Sequence, residues 1–248
     1  MPVSLHYVPT PVFIAFIGVL GLIFGSFVTA LSFRLPRGIS TAKGRSVCPS
    51  CGTTLAAGDL IPVFSWLRSR GRCRTCAALI PWRYPAIEAL TAALFVSAAI
   101  WERDPARLLL LLATAPVLMT LAVVDIEHFR LPNILLVWLL PLAVGICYVD
   151  VADLRQAVAA GVAVFALALA LDAFGRRFLG QGLGMGDAKL MGIMAVALPL
   201  EPLLLTLAAA GGLGVLIGWG LRRRSKQPAS APFGPALVSA YWIALLIS

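Results

Sequence analysis

The chain has 248 residues, 60% of them hydrophobic and only 12% charged, with a formal net charge of +9. Soluble domains run at roughly 45–50% apolar and about 25% charged, so a water-soluble fold could not cover this much apolar surface. Long apolar runs between short polar patches point instead to an all-α polytopic membrane protein, because lipid obliges each span to satisfy its own backbone as a helix.

In chain order the apolar segments are 11–33, 85–101, 106–124, 132–149, 157–174, 187–200, 202–221 and 232–248. They predict about eight transmembrane helices, several shorter than the roughly 20 residues that cross a bilayer. The first segment is expected to stay as an anchor, since its run is long, no basic stretch precedes it, and Arg34 and Arg37 follow it. If the chain starts outside and alternates, loops 34–84, 125–131, 175–186 and 222–231 share one side. With Lys189 at a span mouth, that side carries 17 of the 20 lysines and arginines. Only Arg103, Arg107 and Arg155 fall opposite, beside Glu102, Asp104, Asp150, Asp153 and Glu201. The excess of positive charge marks the first side as cytoplasmic, with both termini periplasmic. RRRSKQPASAP at 222–232 reads as an interhelical loop whose charge sets topology, and no internal repeat is read. Two regions are expected: 1–101, with two spans and the large loop 34–84, and 102–248, with six spans.

That loop holds CPSCG at 48–52 and CRTC at 73–76. Two thiolates reach one ion from each tight CxxC turn, so Cys48, Cys51, Cys73 and Cys76 predict a zinc-ribbon-like site that stabilises a segment too small for its own core. A reducing cytoplasm favours zinc over disulfides. Cys147, inside an apolar segment, reads as a small buried residue. The loop's arginines (Arg68, Arg70, Arg72, Arg74) are expected to meet anionic lipid, and nucleic acid is not expected as a partner. Trp66 and Trp82 read as interfacial anchors.

Ionisable residues in spans are costly and usually functional. Asp125, in VVDIEHFRLPN, closes the third segment, and Pro132 suits the first turn of the next helix. Asp187, in LGMGDAKLMG, opens the sixth, which places both on the cytoplasmic face. Two carboxylates brought together cannot both ionise; they share a proton, so one activates water while the other polarises a peptide carbonyl. Gly184 and Gly186 are expected to give the backbone positive φ and close access to an extended substrate. Lys189, at i+2 from Asp187, is expected to snorkel or meet headgroups. Asp172 is expected to pair with Arg176, and Glu88 with Arg83 or Arg74. Glu127 and His128 read as hairpin surface, and His6 lies on the outer side. From these residues alone, a proton-coupled transporter using the same aspartates and a non-catalytic zinc-loop adaptor are competing readings.

Taken together and in order, GSFVTALSFRLPR at 25–37, IPVFSWLRSRGRC at 61–73, RYPAIEALTA at 83–92, DIEHFRLPN at 125–133, GMGDAKL at 184–190 and PFGPALV at 232–238 resemble the type IV prepilin peptidases, GxGD-type membrane aspartic proteases. The resemblance implies that Asp125 and Asp187 are the catalytic pair, in a bacterial inner membrane. It implies cleavage after glycine of a short basic leader ahead of the hydrophobic helix of a prepilin or pseudopilin. Cys48, Cys51, Cys73 and Cys76 match the cysteines of the bifunctional members, which implies N-methylation of the new terminus with S-adenosylmethionine. No strand–GxGxxG–helix context supports that cofactor independently. Thr29 stands where the family block usually carries asparagine, Ser32 where it carries an apolar residue, and the segment after GDAKL lacks the usual glycines.

Overall fold

The computed structural model describes residues 10–41, 44–150, 153–180, 182–224 and 232–248. Among the described residues the regular structure is helical, apart from two isolated β-bridges. The helices are α1 (Pro11–Arg34), a short α2 (Phe64–Arg68), α3 (Arg83–Trp101), α4 (Pro105–His128), α5 (Asn133–Val149), α6 (Leu154–Phe174), α7 (Met185–Ala197), α8 (Leu200–Arg224) and α9 (Gly234–Ile247). Each apolar segment of the sequence therefore carries a helix. Four helical stretches are long and apolar enough to cross a membrane: Pro11–Arg37, Arg83–Trp101, Pro105–His128 and Leu154–Phe178.

The buried hydroxyls in these helices do not need water. Thr29, Ser32, Thr91 and Thr120 each donate to a backbone carbonyl one turn back, on Ser26, Thr29, Ile87 and Pro116, which satisfies them inside an apolar stack. The departures Thr29 and Ser32 are thus accommodated within α1.

Contacts divide the chain into Met1–Thr120 and Leu121–Ser248, with the division inside α4. In the first unit α1 packs on α3. A Cβ added at Gly21 would lie 2.6 Å from Ala92 Cα, and one at Gly25 would lie 2.5 Å from Glu88 Cα. Only glycine allows two helix backbones to approach that closely, and such packing replaces the hydrophobic drive that lipid removes.

The second unit repeats the device. α7 packs on α6 and α5, and α8 on α9. A Cβ at Gly161 would lie 2.9 Å from Gly192 O, and one at Gly192 would lie 3.1 Å from Gly161 O, so α6 and α7 touch backbone to backbone.

Two expectations change here. Residues 175–186 are not all loop: Gly175–Leu179 continues α6 as a π-helical turn that ends at Gly180 with φ 70°. Arg222–Arg224 extend α8 rather than begin a loop. The rest of that charge cluster through residue 231, and His6, lie outside the described residues.

Candidate active site and metal centre

In the first unit the cysteines sit on two matching turns. Val47 bridges Thr54 around the first pair, and Arg72 bridges Leu79 around the second. In each, the first cysteine's N–H is bonded across the turn (Cys48 to Thr53 O at 2.9 Å, Cys73 to Ala78 O at 2.8 Å), and the residue after the second cysteine is left-handed, Gly52 with φ 69° and Ala77 with φ 57°. The second turn is therefore a structural repeat of the first, too short and too divergent to stand out in the sequence.

The four thiols are free, and their sulfurs lie within 4.8 Å of one another, with Cys48 and Cys76 at 3.9 Å. Sulfurs arranged tetrahedrally at about 2.3 Å from zinc stand about 3.8 Å apart, so the cluster fits that ion. Thr53, through its hydroxyl and backbone, lowers the Cys51 thiol to about 6. Ala78 also hydrogen-bonds Cys76, yet burial and the neighbouring sulfurs push Cys76 up to about 11. Thiolates crowded in this way are what a cation relieves.

Trp66 is part of this loop's own packing rather than an interfacial anchor: its Nε1 donates to Ile80 O at 3.0 Å and its ring covers Gly71. Trp82 is exposed. Arg74 pairs with Asp59 at 3.0 Å, not with Glu88, whose carboxylate accepts the Val63 N–H instead.

In the second unit Asp125 lies in the last turn of α4, 6% exposed. α4 ends because Phe129 turns left-handed, with φ 52°. Pro132 then caps α5 from just outside its first turn. Glu127 and His128 belong to the last turn of α4, half-buried, with carboxylate and imidazole 4.0 Å apart, rather than to an exposed hairpin. The first residue of α9, Gly234, donates its N–H to Asp125 Oδ2 at 2.9 Å.

Asp187 is the third residue of α7, in its first turn, where the helix dipole favours an acid. Asp187 Oδ1 is buried and has no hydrogen-bond partner among the described residues.

The glycines ahead of Asp187 act differently from expectation. Gly184 caps α7 in an extended conformation, with φ −63° and ψ 137°, and Gly186 is helical, so neither adopts positive φ. They supply space. A Cβ at Gly184 would lie 2.8 Å from Asp187 Oδ2, and one at Gly186 would lie 2.8 Å from Leu131 Cβ. Lys189 is likewise committed to another helix of the protein: its Nζ donates to Asn133 Oδ1 at 2.8 Å, at an exposed position. The segments bearing the two aspartates thus meet at Leu131 with Gly186 and at Asn133 with Lys189. Asp172 pairs with Arg176, as the sequence suggested, and Cys147 is buried. Gly234 is the residue sequence reasoning left without a role; its only signal was its place in PFGPALV.

Residues 19–102 match the family described as Bacterial Peptidase A24 N-terminal domain, and residues 112–219 match the Type IV leader peptidase family. The prepilin leader peptidase/N-methyltransferase of Bacillus subtilis (strain 168) is 34% identical over 236 residues, 92% of each chain. The chain belongs to the type IV leader peptidase family. The protein of the same name from Dichelobacter nodosus is 30% identical across 96% of this chain and 92% of its own length. That of Burkholderia pseudomallei (strain K96243) is 31% identical, with 93% and 84% covered. No solved structure matches the chain. As a type IV leader peptidase, the chain carries both aspartates inside the peptidase match, the four cysteines inside the N-terminal match, and Gly234 beyond either.

Proposed function

We propose that this protein removes the leader from prepilins or pseudopilins with Asp125 and Asp187 and methylates the amino terminus so released. The observation that carries the peptidase reading is the packing together of the two aspartate-bearing segments, Gly186 against Leu131 and Lys189 on Asn133, with one carboxylate fixed by a backbone N–H and the other with a buried, unpartnered oxygen. Asp125, with one oxygen already committed to Gly234, takes a proton from the attacking water. Asp187, the protonated member of the pair, donates a hydrogen bond to the scissile carbonyl and then gives that proton to the leaving amine. Gly184, Gly186 and Lys189 support the pair by space and by the bond to Asn133.

The reading extends to eight spans in a bacterial inner membrane, with region 1–101 carrying the cysteine loop and 102–248 the peptidase. The charge asymmetry of the loops supports a cytoplasmic face for both the cysteine loop and the aspartates, with both termini periplasmic. Cys48, Cys51, Cys73 and Cys76 would hold zinc as a structural ion, on the sulfur spacing given above. The methyl-transfer reading rests on the names of the relatives. S-adenosylmethionine, when bound, supplies an electrophilic methyl group.

The test is Asp125→Asn and Asp187→Asn in purified protein with a prepilin substrate, followed by mass spectrometry. Each substitution is expected to lower cleavage by at least about a thousandfold while zinc content and insertion stay unchanged. Cleavage by either variant near the wild-type rate refutes the dyad.

A further inference from the structure

Asp172 is a carboxylate that the dyad does not use, near the end of α6 and 2% exposed. An acid buried in an apolar helix is a functional-site hypothesis by default. Its Oδ2 accepts from Arg176 Nη2 one turn on, but the pair is lopsided, since the arginine side chain is 64% exposed. Its Oδ1 is buried and has no hydrogen-bond partner among the described residues. An ion pair gains little from drawing its acid out of water, and an oxygen left unmet adds to the cost, so the buried position needs another account.

The backbone that follows supplies one. Directly after α6 comes the π-helical turn Gly175–Leu179, a rare geometry that recurs at functional positions. It ends at left-handed Gly180, and the chain returns so that Gly182 rests on the ion pair. A Cβ at Gly182 would land on Asp172 Oδ1, and it would stand 2.7 Å from Arg176 Cγ and 3.1 Å from Asp172 O. The unmet oxygen therefore faces this loop, and only glycine can lie against it.

The loop leads straight to one acid of the dyad. Gly184, two residues on, caps α7, and a Cβ there would lie 2.8 Å from Asp187 Oδ2. The Asp187 carboxylate thus lies back over the loop's own backbone. Among the described residues no backbone N–H from Gly182 to Gly184 is hydrogen-bonded, and the contact with the pair is what seats this stretch.

We infer that Asp172 is a positioning residue for the peptidase reaction: with Arg176 it forms the seat under Gly182, and through that loop it sets where the Asp187 carboxylate stands. The inference rests on the dyad reading proposed above and names the support of one of its members. Asp172 acts through the backbone of Gly182–Gly184 and not on the scissile bond. Its charge has a part of its own, because it ties down the Arg176 side chain whose Cγ completes the seat.

The test uses the full-length protein in detergent micelles, with steady-state cleavage of a prepilin and thermal unfolding measured on the same preparations. Asp172→Ala removes the seat and releases an exposed arginine to water. The variant is expected to melt no lower than wild type, while kcat falls about tenfold and KM stays within about twofold. A purely structural ion pair gives the opposite pattern, a lower melting temperature with kcat retained, and that result overturns the inference. Gly182→Ala drives a methyl group onto Oδ1 and is expected to lower kcat about ten- to a hundredfold. When both substitutions are combined, the methyl group takes the space the carboxylate left and Arg176 is free to move aside. The double variant is therefore expected to recover to the kcat of Asp172→Ala or above it, a result that loss of fold cannot give. Losses that multiply, or a Gly182→Ala variant that cleaves within twofold of wild type, overturn the inference. Asp187→Asn on the same substrate separates the two readings. Cleavage near the wild-type rate there defeats the dyad and this inference together, whereas an inactive Asp187→Asn beside an Asp172→Ala of unchanged kcat defeats the positioning role alone.

Discussion

Replacing Gly234 by alanine tests whether the dyad depends on the start of α9. The new Cβ would stand 2.7 Å from Asp125 Oδ2, 2.9 Å from its Cγ and 3.1 Å from its Cβ. Ordinary contact begins near 3.4 Å, so the carboxylate or the helix end must yield by about 0.7 Å. The Gly234 N–H bond to Oδ2, 2.9 Å long, stretches with it. A misplacement of about 1 Å in a catalytic constellation costs about a hundredfold, so kcat is expected to fall between about ten- and a hundredfold with KM within about twofold. Overpacking of about 1–3 kcal/mol should also lower the melting temperature by several degrees. Gly212→Ala is the matched control, because a Cβ there meets nothing within 4 Å in α8. It should leave cleavage unchanged and favour the helix by about 0.5–1 kcal/mol. The assay is steady-state cleavage of a prepilin in detergent micelles, with thermal unfolding alongside. If Gly234→Ala cleaves within twofold of wild type, the α9 terminus does not hold the catalytic carboxylate and the reasoning fails.

Lys189→Met and Asn133→Leu each remove the 2.8 Å link between the aspartate-bearing segments. Each should lower kcat, with the double variant no worse than the poorer single one; additive losses in a double-mutant cycle would show that the two act separately. Stripping the cysteine site with a chelator, or making Cys73→Ser, should release about one zinc per chain and loosen the loop to proteolysis while the aspartates still cleave. Because metal binding needs thiolates, zinc should be retained at pH 7 and released on acidification as protons compete for the four sulfurs, measured by metal analysis after dialysis. Burial raises the Glu102 carboxyl, but the Asp104 N–H, the Arg107 guanidinium and the Arg103 N–H outweigh it and hold it below its ordinary value. A depressed acid contributes stability that is present above its unfolded value, near 4.3, and is lost as pH falls through the folded one. Glu102→Gln should therefore lower the melting temperature at pH 7 and make little difference at pH 3.

Much of the architecture was legible because apolar run length is a local property. The segments 85–101 and 132–149 end within two residues of α3 and α5, and the CxxC spacing announced a metal-sized cluster. What depended on distant partners was not legible. Gly184 and Gly186 carry no mark that separates a glycine needed for positive φ from one needed for room, and the room is set by Asp187 and by Leu131 more than fifty positions away. The acceptor of Lys189 lies on α5, so its neighbours in sequence could suggest only lipid. Glu88 looked like half of an ion pair because arginines are near it in sequence, whereas its partner is a backbone N–H exposed by a turn that no propensity would assign to valine. Trp66 has the flanking charges of a membrane anchor, and only the fold of the loop shows Gly71 beneath it.

The bare contact between Gly161 and Gly192 has a mechanical meaning. Asp187 sits five residues before that fulcrum, about 7.5 Å along the axis of α7. Swinging the rod by 10° there would carry its acid tip about 1.3 Å, enough to open or close a bond to a water molecule. With Val196 and Phe165 already closing the crossing on either side, bulk added at either glycine is felt at the reactive end, so catalytic rate becomes a gauge of how two helices rest on each other.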